Sequence, residues 1–464
     1  MLLRRLAAAC CLCCATAAQA NDATVTVPGA EFEQLLAAYA LVKSQYVEPA
    51  DERKLLRGAI GGMLASLDPH SQYLDKDALA ELEQDRLGEY VGIGVEVEVA
   101  DGRMQVLGVA EDSPAESAGI EPGDTIVTVN GDAIAGLDAP EVARRMRGVP
   151  GTALSIGLLR AGKGTLHSLD VTRAALRAET VRTRMASPGV AWIRISSFEG
   201  RTASDLAAAL AALDGQRAPR GIVLDLRNDP GGLVSAAVGV AGAFLPSDTV
   251  LFSARGRMPG ANSTVTVNPR YYRAAGEADA LAALPAWARS VPLVVLVNGG
   301  SASSAELVAG ALQDNGRAQI FGTQTFGKGS IQSVFPLSED SAVKMTVARY
   351  FTPKGREIQA HGITPDVTVA ASPGKDGMES LALREADLAH HLPAQDGEAA
   401  TAPPLSPRPA PESTRMFGTA DDKALAAAVG VLAPAPGLAS DATAVLRRLG
   451  WKLGVATPAA AKSL

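Results

Sequence analysis

Beyond position 14 the 464-residue chain contains no cysteine. All four, Cys10, Cys11, Cys13 and Cys14, fall in the first fourteen residues. A disulfide framework, a thiolate metal site and a cysteine nucleophile are therefore excluded for everything that follows them. Aromatic residues are scarce, at 4%, so a core has to be built mainly from Ala, Val, Leu and Ile. There is no basic excess: 43 Lys and Arg stand against 50 Asp and Glu, and a formal charge of -7 argues against a nucleic-acid partner. What remains is ordinary, with 47% hydrophobic and 20% charged residues. That is the composition of a soluble globular chain, and at ~100–200 residues per domain its length suits two to four folding units.

The cysteines belong to a segment with a separate meaning. Arg4 and Arg5 precede an apolar run from Leu6 to about Ala18, and Ala18-Gln19-Ala20 stands before polar Asn21-Asp22. This is the pattern of a secretory signal peptide over residues 1–20, with small residues where a peptidase cuts and a run too short to span a bilayer. The expected destination is the bacterial periplasm or cell exterior. A lipoprotein anchored at Cys10 or Cys11 is the alternative, but the Arg pair lies so close to Cys10 that almost no apolar region separates them.

Residues 21–87 carry apolar side chains at helical spacing, Phe32, Leu35, Leu36 and Tyr39 and then Leu55, Leu56, Ile60, Met63 and Leu64, which predicts two or three amphipathic helices. Residues 88–175 change character. Gly92-Ile93-Gly94-Val95 opens an alternating strand, Met104 to Val109 suits its hairpin partner, and Gly123-Asp124 leads into a strand and an Asn130-Gly131 turn. Taken alone, the two glycines need do no more than relieve crowding at a strand entry. Together the motifs resemble a PDZ domain, in which the amides of Gly92, Ile93, Gly94 and Val95 would hold a peptide's terminal carboxylate.

From 176 to 392 strands alternate with helices. Val190 to Ile195, Gly221 to Leu226 and Val291 to Val297 are apolar enough to be buried on both faces, and Thr202 to Leu213, Leu233 to Phe244 and Ser303 to Asp314 read as helices. The fold class is α/β within an α+β multidomain chain. Pro403, Pro404, Pro407, Pro409 and Pro411 mark a linker over 393–418, and 419–464 reads as a C-terminal helical segment with helices over Lys423 to Leu432 and Thr443 to Leu449.

Two strand-loop-helix junctions bear glycine-containing loops, Asp225 to Gly232 and Asn298 to Glu306, at the strand ends where α/β sheets place ligands. Ser303 begins a helix, where unpaired amides favour negative charge. Ser303-Ser304-Ala305-Glu306 is equally a capping box, which needs no chemistry. A nucleophilic serine needs a base, and none of the five histidines stands in a motif suited to that task. A lysine could serve if its pKa were lowered, and Lys328, between Gly327 and Gly329, is the candidate.

Asn298 to Gly310 and Gly322 to Gln332 resemble the two signature segments of the carboxyl-terminal processing peptidases, peptidase family S41, which are PDZ-containing serine peptidases with a serine-lysine dyad. Leu67 to Tyr73, Asp225 to Gly232, Tyr350 to Ile358 and Gly362 to Asp366 look like further family segments, so the resemblance covers about 30–390. It implies that Ser303 is the nucleophile, Lys328 the base and Gln332 the residue that orients it. The implied oxyanion donors are the amide of Ser304 and one from Gly231 or Gly232. No cofactor and no metal are implied. The implied partners are protein substrates with exposed C-termini, cell-wall hydrolases among them, a lipoprotein adaptor and further copies of the chain. Two departures stand out: Ser-Ala-Ser-Ser-Ala-Glu replaces the more usual Ser-Ala-Ser-Ala-Ser-Glu, and Asp229 stands where asparagine is common.

Other readings remain. A catalytically silent PDZ receptor that captures C-termini would share much of this pattern. A histidine-triad peptidase would need a Gly-x-Ser-Gly segment, which the chain lacks, and the S-x-x-K string Ser372 to Lys375 has Pro and Gly inside it and no companion motifs.

Overall fold

The computed structural model describes residues 28–369, 384–395 and 417–432, apart from 88, 101–102, 111, 122, 138, 161–165, 178, 217, 259 and 275. The expected signal segment, the S-x-x-K string, most of the Pro-rich linker and the expected helix over Thr443 to Leu449 lie outside the described residues. The chain divides into two compact units at Ile60 and Gly61.

In the first unit, helix α1 (Gly29–Gln45) is tied to the start of helix α2 (Glu52–Ala65) by Tyr39 and Lys43, whose side chains both reach Glu52, at 2.8 and 2.6 Å. Phe32, Leu35, Leu36 and Leu41 on α1 are exposed.

The second unit begins within α2 and continues through a short strand, Gln72–Leu74, and helix α3 (Lys76–Leu87). The PDZ-like sheet follows, with β1 (Val95–Ala100), β2 (Arg103–Val109), β3 (Thr125–Val129), β4 (Ala153–Leu159) and β5 (Leu166–Thr172) in that spatial order. All its pairings are antiparallel, β1 meeting β2 at Val95 and Val109. Helix α4 (Ala139–Met146) closes it with Val142 over a core of Val106, Ile126, Leu154, Ile156 and Leu158.

The peptidase-like part is built on a six-stranded sheet whose members are β6 (Val181–Ser187), β7 (Val190–Ile195), β8 (Gly221–Asp225), β11 (Leu293–Val297), β12 (Gln319–Gly322) and β15 (Val367–Thr368). All neighbours are parallel except β6 and β7. The strands β7, β8 and β11 are buried along their whole length, which is why they are apolar without alternation. A second sheet is made from β9 (Val250–Gly256), β10 (Ser263–Thr266), β13 (Ser330–Ser338), β14 (Ser341–Phe351) and the strand Gln72–Leu74.

Because successive strand residues point to opposite faces, the main sheet feeds two cores. Ile193, Ile195, Ile222, Leu224, Leu293 and Val295 pack with helices α5 (Thr202–Gln216), α6 (Val234–Phe244) and α7 (Ser304–Asp314). Trp192, Val223, Val294 and Leu296 pack instead with Leu425, Ala428 and Leu432 of α8 (Lys423–Leu432). The segment that the sequence sets apart as a C-terminal tail thus covers the other face of the main sheet.

Candidate active site

Two loops leave the C-terminal ends of the adjacent strands β8 and β11, and they are stitched together by side chains. Asn298 accepts the Asn228 N–H at 2.9 Å and returns its own amide to Asn228 Oδ1 at 2.8 Å. Ser301 Oγ donates to the Leu226 carbonyl at 2.7 Å, and the Ala302 N–H donates to the Asp229 carbonyl at 2.9 Å. This double seam sets Gly231 against Ser303.

Ser303 sits at the N-terminus of α7 with φ 52 and ψ -113, a backbone conformation that costs a non-glycine residue of order 1–3 kcal/mol. It is half-buried. A Cβ placed on Gly231 would come within 2.9 Å of Ser303 Cβ and 2.8 Å of the Ser304 nitrogen; glycine is required there by space as well as by its φ of +94. The carbonyls of Gly231 and Gly232 are held, by the Phe198 N–H at 3.0 Å and by Ser304 Oγ at 2.9 Å. Gly231 is buried and its N–H donates to Asp229 Oδ1 at 2.8 Å, whereas Gly232 is exposed.

Glu306 connects the serine to the lysine. It is fully buried, and its Oε2 accepts the Ser303 N–H at 2.8 Å and the Lys328 N–H at 2.9 Å. One oxygen thereby makes the two backbones neighbours. Its Oε1 accepts the Gly327 N–H at 2.7 Å and the Thr325 hydroxyl. Burial pushes the carboxyl up to about 7, against the pull of these donors. The capping-box motif identifies half of this role, the bond back to Ser303; the bonds to Thr325, Gly327 and Lys328 have no local signal.

Lys328 is also half-buried. Burial holds its ammonium below the usual lysine range, and the positive charge of Lys344 acts in the same direction. Gln332 lies on β13 with its amide nitrogen donating to Ser330 Oγ at 2.9 Å and Thr346 Oγ1 at 3.1 Å. Thr346 in turn donates to Asp68 at 3.1 Å. His70, passed over in the sequence because it follows a turn proline, donates to or accepts from buried Glu385 at 2.8 Å. Glu385 gives its N–H to the Phe326 carbonyl at 3.1 Å, and Gln359 bridges Glu385 at 2.9 Å to the Gly329 N–H at 3.0 Å. The segment Asp68 to Ser71 therefore braces both flanks of Lys328.

The loop Gly92 to Val95 stands at the entrance to β1. The carbonyls of Ile93 and Gly94 accept from the N–H groups of Ala115 and Ala110, at 2.8 and 2.9 Å, and Ile93 is buried in the domain core.

Under the floor of the site lies a closed group of charges. Arg227 donates to Asp225 at 2.9 and 2.6 Å and to Asp422, just before α8, at 3.0 and 2.6 Å. Its guanidinium lies 4.0 Å from the Phe417 ring, and Arg194 lies 4.8 Å from the same ring. Sequence reasoning missed Asp422, which is 195 residues from its partner.

Comparison with known proteins agrees with this assembly. The pattern of peptidase family S41 matches residues 189–369, that of a PDZ domain 105–160, and that of the activating protease CtpB N-terminal domain 13–78. A carboxy-terminal-processing protease of Bartonella bacilliformis is 37% identical over 355 residues, covering 76% of this chain and 78% of the relative. The carboxyl-terminal-processing protease of a Synechocystis species is 36% identical over 71% of this chain and 74% of its own. A solved S41 protease from Bacteroides fragilis shares the fold, with a TM-score of 0.50 at 17% identity over 85% of this chain and 96% of that one. On these grounds the chain belongs to the carboxy-terminal processing proteases of family S41, and is a serine-type peptidase that carries a PDZ domain.

Proposed function

We propose that this peptidase is an exported, periplasmic endopeptidase that cuts proteins at or near their C-termini through an acyl-enzyme formed on Ser303, with Lys328 as the base. The observation that carries this reading is the shared carboxylate of Glu306, which accepts from the backbones of both residues. Neutral Lys328 takes the Ser303 proton as Oγ attacks the peptide carbonyl, and the ammonium so formed gives it to the departing amine. Water then releases the acyl group, with Lys328 again accepting a proton. Gln332, its amide nitrogen anchored on two hydroxyls, orients the lysine. The N–H groups of Ser304 and exposed Gly232 receive the oxyanion; Gly231 serves as the spacer that admits the substrate, since its own N–H is engaged by Asp229.

The PDZ domain takes up the substrate's terminal carboxylate or gates access to the serine. Its loop suits the first task because its carbonyls are bonded inward. Delivery of cell-wall hydrolases by a lipoprotein adaptor is part of the same proposal. Assembly into a homo-oligomer is supported by the exposed apolar residues of α1.

The test is cleavage of an unstructured protein by the mature chain beside Ser303→Ala and Lys328→Ala. Each variant is expected to lose roughly 10⁴-fold or more in kcat. Wild-type activity should rise with pH and level off below the ordinary lysine value of ~10.4, because the neutral amine is the active form. Equal cleavage by all three proteins defeats the dyad, and absence of cleavage by the wild-type chain is the outcome that a silent PDZ receptor requires.

A further inference from the structure

Asp229 lies between the strand end of β8 and Gly231, and its side chain is fully buried. Its Oδ1 accepts the Gly231 N–H at 2.8 Å, while Oδ2 has no hydrogen-bond partner. Its main chain is fixed as well, since its carbonyl accepts the N–H of Ala302, next to Ser303.

The guanidinium groups nearby already have carboxylate partners. The ionisable groups on the elements around Asp229 are Arg194 on β7, Asp225 and Arg227 on its own strand and loop, Glu306 on α7, and Asp422 beside α8. Arg227 is bonded to both Asp225 and Asp422, and Arg194 donates to the Arg227 carbonyl at 2.9 Å and lies 3.9 Å from Asp225. Two guanidinium groups thus face the carboxylates of Asp225 and Asp422, and with the buried carboxyl of Glu306 on the neighbouring helix an ionised Asp229 would be a surplus negative charge away from solvent. An unpaired hydroxyl costs far less in such surroundings than an unpaired anion. Burial also drives this carboxyl well above the usual range, outweighing the opposite pull of the Gly231 N–H and of the positive charge of Arg194.

We infer that Asp229 is kept as the neutral carboxylic acid and acts as a positioning residue, its carbonyl-like Oδ1 holding the Gly231 N–H so that the next amide, of Gly232, is turned to the oxyanion. A neutral acid has the shape of an asparagine amide and puts no negative charge beside the developing oxyanion. An ionised Asp229 would oppose that charge from beneath the loop. The inference rests on the serine mechanism proposed above.

Two measurements on the full mature chain test it. In protein carrying ¹³C-carboxyl aspartate on the Ser303→Ala background, the resonance lost in Asp229→Asn should keep the position of a protonated acid at pH 7, whatever the enzyme does. In active enzyme, Asp229→Asn should retain kcat within about threefold, while Asp229→Ala should lose about 100-fold in kcat with KM within about twofold, the scale of an oxyanion donor. A resonance that titrates near the ordinary value of ~3.9 overturns the neutral acid. A loss of about 100-fold in kcat in Asp229→Asn, or full activity in Asp229→Ala, overturns the positioning role. If Ser303→Ala alone leaves activity intact, the proposed mechanism fails, and the carboxyl resonance still decides the protonation state by itself.

Discussion

The peptidase part and the PDZ domain both present a two-glycine loop at a strand end, yet they stiffen it by different means. Around Gly94 the work is done by backbone groups and an apolar anchor, Ile93, and the obstacle to a side chain is the single residue Ser113. Around Gly231 the loop rests on buried charge, on Asn228 and Asn298, and on the backbone around Ser303. A loop that only has to receive a carboxylate tolerates small adjustments. Under the proposed mechanism the Gly231 loop has to meet a charge developing on one atom and does not tolerate them, because misplacement is felt directly in the barrier.

That contrast can be broken at measurable points. The largest effect is expected from Gly231→Ala, whose added Cβ meets the Ala302 carbonyl oxygen at 2.7 Å and the Ser304 nitrogen at 2.8 Å. Steady-state kinetics should show kcat reduced by roughly 10²–10³-fold, the scale of a lost oxyanion donor. Asp422→Ala has the largest effect on stability rather than on turnover. It leaves Arg227 buried with half of its carboxylate partners and should cost about 3–5 kcal/mol in denaturant unfolding, while a charge change on the PDZ surface should not. Gly94→Ala should weaken binding of a C-terminal peptide by about tenfold, about 1.4 kcal/mol, with kcat on a saturating substrate preserved. Its Cβ meets Ser113 Cβ at 2.4 Å in a residue with φ +86. The smallest effect on function belongs to Gly119→Ala, where φ is +79 but nothing lies within 4 Å. Only the left-handed backbone term of about 1–2 kcal/mol should appear in stability, and neither kcat nor peptide affinity should move.

Legibility followed the range of the interaction. The buried strands β7, β8 and β11 were readable because a strand covered on both faces must be apolar throughout, and α8 was readable from its own composition. Where α8 packs was not, since nothing in Lys423 to Leu432 names the sheet face it covers. Within the site, Ser303 and Lys328 stood out through their motifs. Glu306 looked like a helix cap, and its bonds to residues 19 to 22 positions away depend on the turn that brings β12 back beside α7. His70 and Glu385 are 315 residues apart, and no periodicity or propensity links positions at such a distance.

One consequence of the Asp422 contact concerns the enzyme's own lifespan. Trimming from the C-terminal end that passes Lys423 also takes Asp422, and with it half of the countercharge that keeps Arg227 tolerable inside the protein. The main sheet thus keeps this stretch of chain beneath it, and a cut that removes it leaves Arg227 with Asp225 as its one carboxylate partner among the described residues.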